Sequence, residues 1–275
     1  MKKILSACMI VKNEEEMLKK TLPNLISAVD EVILVDTGST DETVRVAERE
    51  GAKVYNFAWI DDFSAARNES LKHAEGEWIL WIDADECMEK EDLLNLKAIL
   101  KESEEVAYFL PIYECCPGHS HKNGNFYFRV KVFRNSSDVK FERPINEQVV
   151  KDGKILEGKV LMNAPIYHWG KWLNEEKMMN KRDRNIRLLK SAIDESPLDA
   201  YYHYLLGNNY KESGLFELAE KEYEKAILHS KDKSLTLMVL NKRGWALLSL
   251  KRFKEAFDVA KSSIELNPTN AEGYN

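Results

Sequence analysis

The sequence predicts an α/β domain built on a mostly parallel sheet with an antiparallel extension, followed by an all-α repeat region. Three observations predict it. Over the first hundred or so residues, short apolar runs alternate with stretches of helical period, the pattern of parallel strands covered on both faces. Beyond about residue 105 the strands lengthen and no helices separate them. Beyond about residue 198 the chain becomes helical and self-similar. At 275 residues and 44% hydrophobic content, two domains of ordinary size with substantial cores are expected. The boundaries fall at 1–170 for the α/β domain, 171–197 for a helical linker and 198–275 for the repeats.

In order, Ile4 to Val11 is the first strand. Asn13 with Glu16 reads as a capping box, and Met17, Leu18, Leu22 and Leu25 follow at helical spacing. Val32 to Val35 is a second strand ending in Asp36. Gly38 supplies the turn, and Ser39 with Glu42 reads as a second capping box. Asp41 and Glu42 also suit the dipole of the helix that follows. Lys53 to Phe57 is a third strand, and a helix from about Phe63 to Ala74 is capped by Asp61 or Asp62. Trp78 to Ile82 is a fourth strand that runs directly into Asp83-Ala84-Asp85-Glu86, with a helix from about Lys90 to Leu100 after it. Trp59, Trp78 and Trp81 read as core. Val106 to Tyr113 and Phe126 to Phe133 are longer strands. In the second of these, Phe126, Phe128, Val130 and Val132 alternate against Arg129 and Lys131. A less regular region reaches to about Trp169.

The helical half carries the tetratricopeptide pattern, whose unit is about 34 residues. His203, Leu206-Gly207, Tyr210, Ala219, Tyr223 and Ala226 match one unit. Gly244, Leu247, Ala256 and Pro268 match a second, displaced by 37 residues, so a small insertion is expected around Ser230 to Ser234. The small residues are expected to let the two helices of a unit approach closely. Ala271-Glu272-Gly273-Tyr274 reads as the start of a third unit. About three units are usually needed for such a stack to stand alone, so two would need support or a longer chain.

Composition excludes several classes. Lys plus Arg number 40 against 46 Asp plus Glu, a net charge of −6, which argues against a general nucleic-acid binder. No apolar run approaches the roughly 20 residues of a membrane span. Met1-Lys2-Lys3 precedes an apolar stretch that Lys12-Asn13-Glu14 ends early, so a strand is expected there and not a leader peptide. Cys8, Cys87, Cys115 and Cys116 fit no disulfide framework, and a cytoplasmic protein is expected. Cys115 and Cys116 with His119 and His121 are a candidate metal cluster, although adjacent cysteines seldom close one tetrahedral site.

Ligands of a doubly wound sheet bind beyond the carboxyl ends of its strands. Asp36 closes the second strand and Asp83 to Glu86 close the fourth, so their carboxylates fall on one edge. Asp83 and Asp85 are two apart and in extended backbone project to the same side. Two hard oxygen ligands there suit Mg²⁺ or Mn²⁺ better than zinc, and such an ion would neutralise a departing diphosphate.

Val35 to Asp41 (VDTGSTD), Trp59 to Asn68 (WIDDFSAARN) and Trp78 to Glu86 (WILWIDADE) resemble the glycosyltransferase family 2 proteins of GT-A fold. The closest likeness is to the bacterial branch with C-terminal tetratricopeptide repeats. It covers residues 1 to about 170, with the repeats behind. The resemblance implies a Rossmann-like sheet and an inverting transfer of a sugar from a nucleotide-diphosphate donor, usually UDP-linked, with Mn²⁺ or Mg²⁺. By it, Ile10, Val11, Lys12, Asn13, Glu14 and Asp36 would hold base and ribose. Arg67 and Asn68 would lie near the nucleotide and its phosphates, and Asp83, Ala84 and Asp85 would form the metal and pyrophosphate motif, with Asp85 the more direct ligand. His168 would supply a third metal ligand. Many relatives have two consecutive acids where this chain has Asp36-Thr37, so a base contact by a second acid is lost here.

An inverting transfer also needs a base for the acceptor's proton. Phe141 to Gln148 (FERPINEQ) resembles the segment where relatives place an acid, often after His, which makes Glu147 the candidate and puts Asn146 in the place of His. Lys131, Arg134 and Arg143 are near enough in sequence to supply positive charge to phosphates. Each assignment has a plainer alternative. Arg67 and Asn68 also suit an ordinary helix face, His168 a buried structural histidine, and the strand cations a solvated face.

The repeats suit a peptide or protein acceptor, a protein partner or self-association, while a glycan acceptor fits equally. A scaffold with a degenerate transferase domain is the alternative, against which the intact Asp36, Asp83 and Asp85 count. A nucleotidyltransferase is disfavoured by the lack of a Gly-rich phosphate loop near the N-terminus.

Overall fold

The chain divides into two compact units, Met1–Leu173 and Asn174–Asn275. The computed structural model describes residues 2–114, 126–169 and 175–269. Cys115, Cys116, His119, His121 and the stretch Ala271 to Tyr274 lie outside the described residues.

In the first unit, β1 (Leu5–Val11), β2 (Glu31–Asp36), β3 (Lys53–Asn56) and β4 (Trp78–Trp81) are parallel, in the spatial order β3-β2-β1-β4. Strands β1, β2 and β4 are buried almost throughout, which is why they read as continuous apolar runs. Helices α1 (Glu15–Ala28), α2 (Thr43–Glu50) and α4 (Lys90–Glu102) join one core layer through Leu18, Leu22, Leu25, Val46, Leu93 and Leu96. Helix α3 (Phe63–His73) contributes Leu71 to the layer on the opposite face, around Ile33, Ile79, Trp81 and Phe141. Trp78 and Trp81 are core as expected, whereas Trp59 is half-buried.

Past β4 the sheet changes direction. Strand β5 (Glu86–Cys87), β6 (Ala107–Glu114) and β7 (Phe126–Arg134) are followed by β8 (Val139–Glu142), β9 (Gln148–Lys151), β10 (Lys154–Ile155), β11 (Lys159–Val160) and β12 (Ile166–His168). Strand β7 runs antiparallel to both β4 and β6, and the main sheet ends β4-β7-β6-β12-β5. Strands β8, β9 and β10 form a separate antiparallel sheet whose Val139, Phe141 and Val149 share the core layer with Leu71 of α3.

Two local expectations fail, for related reasons. Neither capping box forms. Asn13 has φ +57° and its side chain accepts from Thr40 N at 2.8 Å, while Ser39 Oγ accepts from Asn13 N at 2.9 Å. Asp41 instead accepts from Thr43 N, at the start of α2, and from Glu15 N, at the start of α1. The two loops leave one sheet edge side by side, so cross-loop partners are as close as local ones. The alternation along β7 also breaks. The pairing with β6 skips from Val132 to Val130 at a β-bulge, which puts Val130 on the face of Phe133 and not on that of Val132, and Lys131 is completely buried against Trp81 on that same covered face. At α3 the expectation is met by Asp62, which accepts from Ala65 N at 3.0 Å.

The amino ends of the parallel strands meet at Glu31, which the sequence did not single out. Its carboxylate accepts from Ser6 Oγ, Glu75 N, Lys3 Nζ and Lys53 Nζ at 2.7–2.9 Å. Burial pushes the carboxyl upward, but these donors outweigh it and hold the group down at about 2. A carboxyl depressed in the folded state stabilises above its ordinary value and ceases to as the pH falls through the depressed one. Glu31→Gln is therefore expected to lower stability by about 2 kcal/mol at neutral pH. The deficit, followed by chemical unfolding, closes between about pH 4.5 and about pH 2.

The second unit comprises α5 (Glu175–Glu195), α6 (Ala200–Glu212), α7 (Phe216–His229), α8 (Lys233–Ser249) and α9 (Phe253–Leu266). The insertion between the two matching units lengthens α8, which has 17 residues against 13 in α6. A Cβ on Gly207 would stand 2.5 Å from the Tyr223 ring, so this glycine does permit a close approach. Gly244 does not, since nothing lies within 4 Å of its Cβ position. The residue 37 positions after Tyr223 is Ala260, too small to reach across. Gly207→Ala should therefore cost about 1–3 kcal/mol. Gly244→Ala, gaining only helix propensity, should stabilise by up to about 1 kcal/mol. Urea unfolding of the two variants distinguishes them.

Candidate active site

Parallel pairing places Val11, Asp36 and Asn56 in register at the carboxyl ends of β1, β2 and β3, with the end of β4 beside them. The expected common edge exists. Ile10 and Val11 end β1, and the Val11 carbonyl accepts from Thr37 N and Thr37 Oγ1. Glu14 N donates to Thr43 Oγ1 at 2.8 Å, which with the Asn13 bonds fuses residues 12–14 and 37–43 into one lip. Asp36 is buried there and its carboxylate accepts from Gly38 N and Ser39 N at 3.0 Å, across a Gly38 at φ +102°. The structure therefore gives Asp36 the shaping of the lip.

Beyond β4 the chain is not extended. Glu86 N donates to Asp83 O at 3.0 Å, so residues 83–86 form a turn, and the expectation that both aspartates project to one side fails. Asp83 lies 2.7 Å from Arg67 Nη2, and Asp85 lies 3.2 Å from His168 Nε2. Antiparallel pairing of β5 with β12 sets His168 opposite Glu86, and Trp169 N donates to Asp85 O at 2.8 Å. These bonds bring His168 across 83 residues to Asp85. The Asp85 hydrogen bond raises the imidazole above its ordinary value against the effect of burial. Ala84 is a buried spacer whose carbonyl accepts from Thr21 Oγ1.

Arg67, only 6% exposed, is the centre of the site. Its guanidinium bonds Asp83 through Nη2 and Glu147 through Nε at 2.5 Å, and lies 4.4 Å from the centroid of Trp81. Burial opposes its charge, but the two carboxylates outweigh it and raise the group further. Burial likewise pushes Asp83 up, and Arg67 with Lys131 holds it far below the usual carboxylate range. Glu147 reaches Arg67 from a loop with two left-handed residues, Arg143 at φ +81° and Asn146 at φ +52°. Asn, Asp and His are the side chains that most readily accept that conformation, which suits Asn146 to its place in this loop.

The Asn68 side chain is engaged away from Arg67 and the two carboxylates. Its side chain donates to Phe141 O at 2.9 Å and accepts from Phe141 N at 2.8 Å, clamping α3 to β8 as a second peptide group would. Arg134 is also engaged elsewhere, on the carbonyls of Ser103 and Glu105. Sequence reasoning missed Glu86 and the placement of Lys131, whose ammonium lies 2.6 Å from Glu86 and 3.6 Å from the Trp81 centroid. Burial raises the Glu86 carboxyl despite that ammonium. The run of acids after Trp81 pointed toward Glu86, whereas nothing in the sequence announces that the Lys131 face of β7 is covered.

Among the described residues no three His, Cys, Asp or Glu side chains gather as a metal site. The expected set Asp83, Asp85 and His168 is thus not assembled, because Asp83 is held by Arg67. Asp85 with His168 does fit a divalent ion, offering one carboxylate oxygen and one imidazole nitrogen at the site's edge.

The family model described as Glycosyl transferase family 2 matches residues 6–154, and that for the tetratricopeptide repeat matches 200–228 and 239–270. A TPR repeat-containing protein of Synechococcus elongatus is 33% identical over 224 residues, covering 78% of this chain and 54% of that protein. The SPbeta prophage-derived glycosyltransferase SunS of Bacillus subtilis is 29% identical over 201 residues, covering 72% of this chain and 47% of that protein. The chain spans about half the length of these curated relatives. Among solved structures, S. aureus TarS 1-349 in complex with UDP-GlcNAc shares the fold, with a TM-score of 0.51 at 16% identity over 92% of this chain and 89% of that one. No helix among the described residues is long and apolar enough to cross a membrane.

The reassignment of Asn68 has a direct check. Asn68→Ala removes both Phe141 bonds and should lower unfolding free energy by about 1–3 kcal/mol in a denaturant titration. A side chain aimed at a ligand would leave stability unchanged.

Proposed function

The chain belongs to glycosyl transferase family 2, and from that premise we propose that it moves a sugar, with inversion, from a nucleotide-diphosphate donor to a peptide, protein or glycan acceptor. A UDP-sugar is the donor assigned, in keeping with the UDP-GlcNAc bound by S. aureus TarS, which shares the fold. The observation that carries the reading is the turn after β4. It divides two aspartates at one sheet edge, Asp83 to a buried arginine and Asp85 to a histidine.

In this reading the lip formed by residues 10–14 and 36–41 receives base and ribose, with Asp36 fixing its shape. Asp85 and His168 hold Mn²⁺ or Mg²⁺, which when bound neutralises the diphosphate and so eases its departure. Arg67 holds the Asp83 carboxyl low and keeps both Asp83 and Glu147 in place. Glu147 is the base: one oxygen is engaged by Arg67, and the other takes the acceptor proton as the acceptor attacks the sugar carbon opposite the diphosphate. Proton transfer comes late, once the attacking atom has become acidic, so the base need not match the acceptor in basicity. The tetratricopeptide repeats support a peptide or protein acceptor, since such stacks present concave surfaces to extended chains.

The test is a thermal-shift series with UDP-sugars and Mn²⁺, together with UDP release. A donor at about a hundred times its dissociation constant should add roughly 2.7 kcal/mol of stability. Asp85→Ala should abolish the shift. Glu147→Gln should keep it and cut turnover by about 10² or more. No shift with any UDP-sugar refutes the donor assignment, and unchanged turnover removes Glu147 from the mechanism.

A further inference from the structure

Among the described residues of the first unit Lys131 is the most completely buried cation, and the proposed function gives it no task. Its side chain lies on the α3 face of the sheet, the face that Phe133 and Trp81 share, and that face is covered where alternation alone suggested a solvated one. The ammonium lies 2.6 Å from Glu86 Oε2 and 3.6 Å from the Trp81 centroid. The guanidinium of Arg67 lies 4.4 Å from that same centroid, so one indole serves two cations. Trp81 is itself fixed, donating through Nε1 to Val130 O, within the bulge, at 2.6 Å.

Glu86 closes the turn twice. Its backbone N donates to Asp83 O at 3.0 Å, and its Oε2 accepts from Asp83 N at 2.9 Å. The oxygen that receives Lys131 is therefore the one that holds the Asp83 amide. Replacing a buried ion pair with apolar groups of similar volume is often neutral or stabilising, because desolvation offsets the attraction. Net stability is thus a poor reason for burying this pair. Orientation is a better one.

We propose that Lys131 and Glu86 are positioning residues of the donor site, fixing the 83–86 turn so that Asp83 meets Arg67 while Asp85 meets His168. The proposal rests on the donor reading for its consequence in binding, and on geometry alone for its consequence in the turn. Lys131 acts through Glu86 and Trp81 and touches no substrate.

The experiment compares the full chain with Lys131→Met and with the doubly neutral Glu86→Gln/Lys131→Met. It measures melting temperature, hydrogen exchange of peptides spanning residues 82–86, and calorimetric affinity for UDP with MnCl₂. In Lys131→Met, exchange in the turn should accelerate at least tenfold while the β1 and β2 peptides keep their protection, and the dissociation constant for UDP should rise at least tenfold. The double variant leaves no buried charge unpaired. It should regain the wild-type melting temperature while keeping the weakened affinity. Unchanged turn exchange in Lys131→Met, or affinity that returns with the melting temperature in the double variant, overturns the proposal. If the wild type binds no UDP, the donor reading is what fails, and turn exchange alone then decides whether Lys131 and Glu86 position the turn.

Discussion

The guanidinium of Arg67 is the charge on which the site depends. It stands on α3, between Asp83 from the turn after β4 and Glu147 from the loop after β8. Three segments far apart in sequence are thus held to one planar group, with the Trp81 ring against it. Removing one member of a buried ion pair typically costs about 3–5 kcal/mol, because the partner is left charged in a poor solvent. Here two partners would be left. The helix that carries Arg67 is correspondingly constrained, capped by Asp62 at its start and clamped by Asn68 to Phe141 one residue after the arginine.

Much of this was legible in the chain. Continuous apolar runs ending in Asp36 and in Asp83 to Glu86 announce parallel strands with carboxylates at one edge, since parallel strands must end together. The repeats were legible because a helical unit that buries its faces against copies of itself must repeat its small and large residues. What escaped reading was whatever depends on a neighbour distant in sequence. Asn13 and Ser39 have the composition of capping boxes, but the adjacent loop offers each a partner at equal distance, and that partner prevails. Asn68 sits beside Arg67 and shares its motif, yet one helical step turns it to the backbone of β8. Lys131 alternates as read, but the face it takes, with Phe133 and Trp81, is covered and not solvated. Gly244 matches Gly207 in the pattern without matching its packing, because the ring that makes the glycine necessary is absent from the second unit.

The turn between Asp83 and Glu86 reconciles two demands that an extended Asp-x-Asp cannot meet. Two carboxylates on one side of a strand repel each other, and both would need the same cation. A turn sends them apart, so that one is neutralised by protein and the other remains for an ion. The metal set we propose has fewer protein ligands than the sequence suggested, Asp85 and His168 without Asp83. An ion held by these two side chains would keep most of its coordination for water and phosphate oxygens, as Mg²⁺ does in phosphate chemistry.

The same sheet shows why chemistry belongs at one edge and not at the other. At the amino edge Glu31 is as buried as a functional carboxylate, yet both its oxygens are filled, by two ammonium groups, a hydroxyl and a backbone amide. Such a group stabilises and has nothing further to offer. At the carboxyl edge the strands open into loops that must turn away, and their side chains are satisfied in pairs instead of in fours. Asp85 meets one imidazole at 3.2 Å, a long contact for a charged partner, and its side chain remains 20% exposed. Unspent coordination of this kind costs stability, and a fold retains it only where a ligand completes it. The parallel order of β1 to β4 therefore sorts the acids of this domain by satisfaction, the full ones bracing the amino ends and the incomplete ones gathering at the carboxyl edge, where the donor is proposed to bind.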